Sequence, residues 1–291
     1  MLHGSIVALV TPMDEKGGID YGALECLVDL HLRSGTHGIV VAGTTGESAT
    51  LNKNEYKQLL SHVVVQVNSR IPVLAGTGSP DTATAITRTQ IAADLGADCA
   101  LVVTPYYNRP MQSGLLAHYH ALADASSIPL VIYNVPSRTS VDILPETVAE
   151  LAGREEIIAI KEAVSDPTRV RTLTELCGES LIVLSGDDPT CLEAMQNGAS
   201  GVVSVAANVA PSSFVELCNM AHQKNWQTAL EINDSLRHLY GILALETNPI
   251  PVKWVLHKMA LCGPGIRLPL LSLSEKYHEA IERSLKQLGL A

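Results

Sequence analysis

The sequence predicts an α/β fold, a (β/α)₈ TIM barrel with a C-terminal helical appendage, and three observations lead to this prediction. Eight short runs rich in Val and Ile recur between residues 5 and 205. Stretches with helical periodicity separate them, a pattern typical of parallel strands that are covered on their outer side. After about residue 211 the strand signals cease, and only helical periodicity follows.

Each element of the barrel can be placed in order. The predicted strands are Ser5–Val10, Gly38–Ala42, Pro72–Gly76, Cys99–Thr104, Leu130–Asn134, Ile157–Lys161, Leu181–Gly186 and Gly201–Val205. The predicted helices between them are Tyr21–Ser34, Asn54–Asn68, Thr82–Leu95, Gly114–Ala125, Pro145–Ala152, Thr168–Cys177 and Pro189–Asn197. A doubly wound sheet would show the same alternation. Eight units without a Gly-rich dinucleotide turn after the first strand favour a closed barrel.

The tail predicts four further helices, Ser213–Gln223, Trp226–Leu243, Pro249–Met259 and Ser274–Leu288. We therefore expect residues 1–224 to form the barrel that carries the active site and residues 225–291 to form a C-terminal helical domain. Single α/β barrels commonly reach this length around one core. Because no low-complexity linker separates the two parts, we expect them to pack together.

Composition excludes several classes of function. The chain is 46% hydrophobic and 17% charged, so a large core can form. A net charge of −10 provides no positive field for nucleic acid or for an anionic membrane surface. The sequence shows no apolar stretch of about 20 residues, and its six cysteines are scattered singly. We expect no leader peptide, because the first residues show neither a basic region nor a cleavage site. We expect a cytoplasmic protein with reduced thiols.

A lysine ends the sixth predicted strand, in Ile157-Ile158-Ala159-Ile160-Lys161-Glu162. The C-terminal ends of barrel strands are where this fold places catalytic groups. Partial removal from water would favour the neutral amine of Lys161, which is the nucleophile that forms imines with carbonyl compounds. The alternative is a rim lysine paired with Glu162, and this feature alone leaves both interpretations open.

The second predicted strand leads into Gly43-Thr44-Thr45-Gly46-Glu47-Ser48. Consecutive N–H groups in a turn of small residues can bind an anion, and the two threonine hydroxyls add donors. A small carboxylate could therefore bind here although the protein is acidic. An ordinary glycine turn that caps the next helix is the alternative, and the position at a strand end favours a binding site.

Tyrosines and an arginine follow the fourth and fifth strands, in Tyr106-Tyr107-Asn108-Arg109 and Tyr133-Asn134-Val135-Pro136-Ser137-Arg138. A phenol can transfer protons between hydroxyl groups, and an arginine can bind a carboxylate through two parallel donors. Single tyrosines more often have a structural role. The hypothesis of a site depends on the convergence of Tyr107, Tyr133 and Arg138 with Lys161 and Thr44 on one face of the barrel.

Two carboxylates, Asp187 and Asp188, follow the seventh strand. Barrel enzymes commonly bind phosphate after strands seven and eight, and these charges would repel it. One such pair is weak support for a magnesium site, and capping of the next helix explains it better. The ten histidines show no zinc or Ser-His-Asp pattern. We expect neither a metal nor a cofactor.

These motifs together resemble the dihydrodipicolinate synthase family of the class I pyruvate-dependent aldolases. The resemblance covers essentially the whole chain, including the tail segment Asn248-Pro249-Ile250-Pro251-Val252-Lys253-Trp254. One motif differs, because family members often carry Thr-Gly where this chain has Val164-Ser165 after Lys-Glu-Ala. The resemblance implies condensation of pyruvate with L-aspartate 4-semialdehyde to give 4-hydroxy-tetrahydrodipicolinate, the committed step of diaminopimelate and lysine biosynthesis.

The resemblance also assigns roles to individual residues. Lys161 would form the imine with pyruvate, and Thr44, Tyr133 and Tyr107 would form a proton relay. Tyr107 would reach the active site of a neighbouring subunit, so a homodimer would be the minimum complete unit and a tetramer the expected assembly. The residues expected to bind substrate are Thr45, Arg138, Gly186 and Val203.

The same family contains lyases that cleave sialic acid or 2-keto-3-deoxy sugar acids through the same imine, and these are the alternative activity. Arg138 favours a short amino-acid aldehyde, because a polyhydroxylated chain would need neutral hydrogen-bonding groups instead. A catalytically silent barrel that only binds small carboxylates or serves as an assembly subunit is a second alternative. Turnover assays and borohydride trapping discriminate among the three.

Relatives inhibited by lysine bind it in a cleft at the dimer interface. The matching positions, which we call the effector cleft, are Ser48, Ala49, Lys53, Tyr56, Pro80, Thr84 and Tyr106. Sensitive relatives carry histidine, asparagine and glutamate where this chain has Lys53, Pro80 and Thr84. A cation therefore replaces a neutral group and a carboxylate partner is lost, so we predict weak or absent inhibition by lysine.

Overall fold

A computed structural model describes residues 2–166 and 168–287. Eight parallel strands close into a barrel in chain order, and β8 pairs with β1. The strands are β1 (Gly4–Ala8), β2 (Gly38–Val41), β3 (Val73–Gly76), β4 (Cys99–Val103), β5 (Leu130–Asn134), β6 (Ile157–Glu162), β7 (Ile182–Ser185) and β8 (Gly201–Ser204). The predicted fold class is confirmed, and each predicted strand is found within a few residues of its expected bounds.

Helices cover the outside of the barrel and form the tail. They are α1 (Tyr21–Arg33), α2 (Lys53–Val67), α3 (Thr82–Asp94), α4 (Gln112–Ala125), α5 (Pro136–Thr139), α6 (Pro145–Leu151), α7 (Thr168–Cys177), α8 (Cys191–Gln196), α9 (Pro211–His222), α10 (Trp226–Leu243), α11 (Ile250–Lys258) and α12 (His278–Gln287). The short α5 was not predicted, since four residues are too few to show helical periodicity. Leu288, the predicted end of the last helix, lies outside the described residues.

Alternation along the strands divides the apolar residues into two layers. One side chain of each successive pair points into the barrel and the next points toward the helices. The inner layer includes Ile6, Ala8, Val40, Leu74, Leu101, Val131, Tyr133, Ala159, Leu184 and Val203. Lys161 follows Ala159 by two residues, so its side chain also points inward, at the end of the strand.

The tail packs directly on the barrel. Helix α10 lies against α9, where the rings of Phe214 and Tyr240 meet with their centroids 6.1 Å apart. Lys253 on α11 forms a buried ion pair with Glu47 in the loop after β2. These contacts cross the boundary expected at residue 224, so the division into a barrel domain and a helical domain stays a proposal. Among the described residues no helix is long and apolar enough to span a membrane.

Candidate active site

A cavity of about 200 Å³ opens at the C-terminal mouth of the barrel. Seven of the eight strands, or the loops that directly follow them, and one tail segment form its wall. The lining residues are Ala8, Val40, Gly43, Thr44, Thr45, Leu101, Tyr133, Val135, Ser137, Arg138, Lys161, Ala163, Ser165, Gly186, Asp187, Val205 and Asn248. Five of the predicted catalytic and substrate-binding residues besides Lys161 therefore share one cavity with it, because parallel strands bring their carboxyl ends together.

Lys161 lies in the wall of this cavity and is only 6% exposed. Its register partner on β5 is Tyr133, and its Nζ atom lies 4.1 Å from the centroid of that phenol ring. The side chain of Glu162 leaves the opposite side of the strand and pairs with Arg169 instead. No ion pair among the described residues includes Lys161, so the alternative of a rim lysine paired with Glu162 does not hold for this structure.

The glycine–threonine turn forms a second wall of the cavity. A bond from the Ser48 N–H to the Gly43 carbonyl closes the turn at 3.2 Å. Within the described residues, no backbone or side-chain group accepts from the N–H groups of Thr44 and Thr45. Thr45 is buried and Thr44 is half-buried. Backbone donors withdrawn from water in this way call for an acceptor, and a small carboxylate would supply one.

Gly186 allows the lysine side chain to lie close to β7. A Cβ atom at this position would stand 2.9 Å from Lys161 Cε and 2.8 Å from Ala163 Cβ. Both distances are shorter than ordinary contacts between carbon atoms. The absence of a side chain at Gly186 therefore leaves room for Lys161 to place its amine here.

Asn248 is a cavity residue that the sequence did not single out. Its side-chain Nδ2 donates to Thr45 Oγ1 at 2.9 Å, and its backbone carbonyl accepts from Arg138 Nη2 at 3.3 Å. It precedes α11, far along the chain from both partners. The sequence offered one cue, because Asn248 belongs to the tail segment that resembles the family, but it carried no chemical signature of its own.

Two predicted site residues lie outside the cavity. Tyr107 is 93% exposed, with φ of 72°, on the loop after β4. Val203 is 1% exposed in the inner layer, two residues before the cavity residue Val205. Tyr107 as a proton-relay residue and Val203 as a substrate contact therefore stay predictions.

The effector cleft falls into two adjoining cavities. Lys53, Tyr56 and Thr84 line one of about 350 Å³. Ser48, Ala49 and Tyr106 line the other, of about 420 Å³, which also borders Thr44 and Arg138 of the candidate active site.

Arg88 and Pro80 differ in their position relative to these two cavities. Arg88 lines both cavities and was not predicted. Pro80 lines neither of these two cavities, and its carbonyl accepts from Asn108 Nδ2 at 2.9 Å. Arg88, in the wall that the two cavities share, is therefore a second cation of the effector cleft besides Lys53.

The two aspartates after β7 organise loops. Asp187 Oδ2 accepts from the N–H and the hydroxyl of Thr190, which is the N-cap residue of α8. Asp187 therefore holds the residue before the helix and does not cap the helix itself, so the capping hypothesis is wrong in that form. Asp188 Oδ2 instead accepts from the N–H groups of Val205 and Ala206 after β8. Burial raises the pKa of Asp188. Among the described residues, no three His, Cys, Asp or Glu side chains are grouped as a metal site would require.

Comparisons with known proteins agree with this geometry. The sequence model of the Dihydrodipicolinate synthetase family matches residues 1–288. The 4-hydroxy-tetrahydrodipicolinate synthase of Stutzerimonas stutzeri is 50% identical over 290 residues, which are 100% of this chain and 99% of the relative. The enzyme of the same name from Pseudomonas aeruginosa is 49% identical with the same coverage.

Solved structures are equally similar. The chloride-inhibited dihydrodipicolinate synthase of Acinetobacter baumannii, complexed with pyruvate, superposes with a TM-score of 0.99 at 47% identity, covering 100% of both chains. The enzyme from Aquifex aeolicus superposes with a TM-score of 0.97 at 43% identity, covering 99% of each chain. Both the sequence and the fold match over their full length, so this chain belongs to the dihydrodipicolinate synthetase family.

Proposed function

We propose that this chain is a lyase of the class I aldolase type that condenses pyruvate with L-aspartate 4-semialdehyde. The product is 4-hydroxy-tetrahydrodipicolinate, an intermediate of diaminopimelate and lysine biosynthesis. The observation that carries the proposal is the buried amine of Lys161 beside Tyr133, at the mouth of a barrel whose relatives bear this activity in their names. These relatives give no support to cleavage of sugar acids.

The first step is formation of an imine. Lys161 Nζ attacks C2 of pyruvate, and the carbonyl oxygen leaves as water after proton transfers. The unpaired N–H groups of Thr44 and Thr45 would bind the pyruvate carboxylate. Tyr133, whose ring lies against the amine, would move the protons together with Thr44. The chemistry uses the protein's own amine, so it requires no further cofactor.

The second step forms the carbon–carbon bond. Loss of a proton from C3 of the imine gives an enamine, and C3 then attacks the aldehyde carbon of the semialdehyde. The semialdehyde amino group next attacks the imine carbon, closes the ring and releases Lys161. Arg138, which borders both the cavity and its entrance, would bind the semialdehyde carboxylate through its free donors.

The oligomeric part of the proposal rests on Tyr107. Its ring is almost fully exposed in the single chain, and Met111 nearby is 80% exposed. A second subunit would cover this apolar surface and receive Tyr107 in its own site. We therefore propose a homodimer as the minimum catalytic unit and a tetramer as its assembly. All six cysteines are free thiols, which fits the reduced environment of the cytoplasm proposed for this enzyme.

Reduction with borohydride tests the central step. We expect incubation with pyruvate followed by reduction to add one pyruvate-derived group to Lys161, identified by mass spectrometry of the peptide. The Lys161→Ala variant should show no adduct and no turnover. The exposed Lys57 offers a matched control, because Lys57→Ala should trap pyruvate normally. Turnover of aspartate semialdehyde without adduct at Lys161 would refute the mechanism, and faster cleavage of sialic acid or 2-keto-3-deoxy sugar acids would refute the substrate.

A further inference from the structure

Glu162 is a buried carboxylate directly behind the nucleophile. It follows Lys161 on β6 and points to the outer side of the barrel, where its side chain is fully covered. Its register partner on β5 is Asn134, which follows Tyr133. Glu162 and Asn134 therefore face each other on the outer side of β5 and β6. Each directly follows one member of the pair Lys161 and Tyr133, which face each other at the cavity.

Among the described residues, the hydrogen bonds and the ion pair of this carboxylate are all with donors. Asn134 Nδ2 lies 3.0 and 3.1 Å from its two oxygens, and the Val164 N–H donates to Oε1 at 3.0 Å. Arg169 Nε, on α7, lies 3.5 Å from Oε2. The other nitrogens of Arg169 donate to Asp142, with Nη2 to Oδ1 at 2.6 Å, and to the Ile143 carbonyl, also at 2.6 Å. Because each of these contacts is with a donor, the arrangement matches an ionised carboxylate and would lose a hydrogen bond on protonation.

Burial acts in the opposite direction. It raises the pKa of Glu162 to about 7, although hydrogen bonds from Asn134 and the charge of Arg169 lower it, and the nearby charge of Asp142 raises it slightly. The side chain of Lys161 leaves β6 on the opposite side, toward the cavity. The charge on Glu162 therefore changes near neutral pH.

The network holds the backbone that carries the reacting side chains. The Asn134 carbonyl accepts from the Ala163 N–H at 2.9 Å, and the Glu162 carbonyl accepts from the Gly186 N–H at 2.7 Å. The carboxylate of Glu162 fixes Val164 at the start of the next loop. Ala163 and Gly186 both line the cavity, and Gly186 lies against the aliphatic part of the Lys161 side chain.

We propose that Glu162 is a positioning residue whose ionised carboxylate, held between Asn134 and Arg169, keeps the ends of β5 and β6 in the register that places Tyr133 against Lys161. The inference rests on the proposed function. Protonation of Glu162, or its replacement, shifts the strand ends and separates the amine from its proton-transfer partner. Small displacements of a reacting group are costly, with about 1 Å able to reduce rates a hundredfold.

The test compares Glu162→Gln with Glu156→Gln, a matched change just before β6 where the carboxylate pairs with Arg154 near the surface. We expect Glu162→Gln to lower kcat on the order of ten- to a hundredfold, to slow borohydride-trapped imine formation and to leave KM for pyruvate nearly unchanged. We expect the activity of the wild-type enzyme to decline toward acid near neutral pH, and the Glu162→Gln variant should lack this decline. Glu156→Gln should retain the wild-type rate and profile.

Two outcomes separate this inference from the proposed function. Wild-type protein without imine formation would contradict the proposed function itself. Active wild-type protein together with a Glu162→Gln variant of wild-type kcat and pH profile would overturn the positioning role alone. Should Glu162→Gln not fold, Arg169→Gln provides the test. Loss of this cation raises the pKa of Glu162, so the acidic decline must move to higher pH, and an unmoved profile would refute the role.

Discussion

The buried ion pair between Glu47 and Lys253 joins the glycine–threonine turn to the tail. Among substitutions at this junction, we expect loss of the ion pair to lower the free energy of unfolding the most. The side chains of Lys253 and Glu47 are 4% and 1% exposed. Glu47 also accepts from the Arg267 N–H at 3.1 Å. Burial lowers the pKa of Lys253, and the charge of Glu47 opposes this shift. Lys253→Met would keep an unbranched side chain on α11 but remove the only cation that forms an ion pair with Glu47 among the described residues.

The magnitude follows from the burial of both partners. Removal of one partner of a buried pair leaves an uncompensated charge and costs about 3–5 kcal/mol of the free energy of unfolding. With an unfolding entropy of about 0.6 kcal/mol per kelvin for a chain of this length, the melting temperature should fall by about 5–8 °C. Lys258→Met is a matched control on the same helix. Lys258 and its partner Glu282 are 38% and 46% exposed, so we expect a much smaller loss of stability than for Lys253→Met.

Thermal and urea unfolding of the three proteins would measure these differences. The double variant Lys253→Met with Glu47→Gln should recover much of the loss, because the unpaired charge is gone while the amide oxygen can still accept from Arg267. A Lys253→Met protein as stable as Lys258→Met, or a double variant less stable than Lys253→Met, would refute the reasoning.

Three further predictions concern the site, its regulation and the core. Gly186→Ala should lower kcat/KM at least about tenfold, because the new Cβ would displace Lys161, whereas Gly241→Ala, with no atom within 4 Å of its Cβ, should be silent. Lysine should inhibit weakly or not at all, and strong inhibition below about 1 mM would contradict the cations assigned to the effector cleft. Burial lowers the pKa of His31 to about 4, so the folded state resists protonation and stability should fall by about 3 kcal/mol between pH 6.5 and 4. His31→Leu should flatten this decline in urea titrations, and an unchanged slope would refute it.

Much of the fold could be predicted because its signals are local. Strand runs and helical stretches repeat within windows of about 10 to 15 residues, so the barrel follows from their number and order. Gly35, Gly96 and Gly198 follow α1, α3 and α8 with left-handed backbone, at φ of 77°, 84° and 105°, as glycines after helices commonly do. Lys161 and the glycine–threonine turn were recognised for the same reason, since their position at a strand end is visible in a few residues of sequence.

The sequence by itself determined that a lysine, two tyrosines, two threonines and an arginine follow the strands of one barrel. Only the tertiary structure decided which of them share a cavity, and it added Asn248, whose partner Thr45 lies 203 residues away. It also decided that Glu162 faces Arg169 rather than Lys161, and that Tyr107 lies outside the cavity of its own chain. Such contacts arise when the barrel closes and the tail packs on it, and contacts between distant residues leave no periodic trace in the chain.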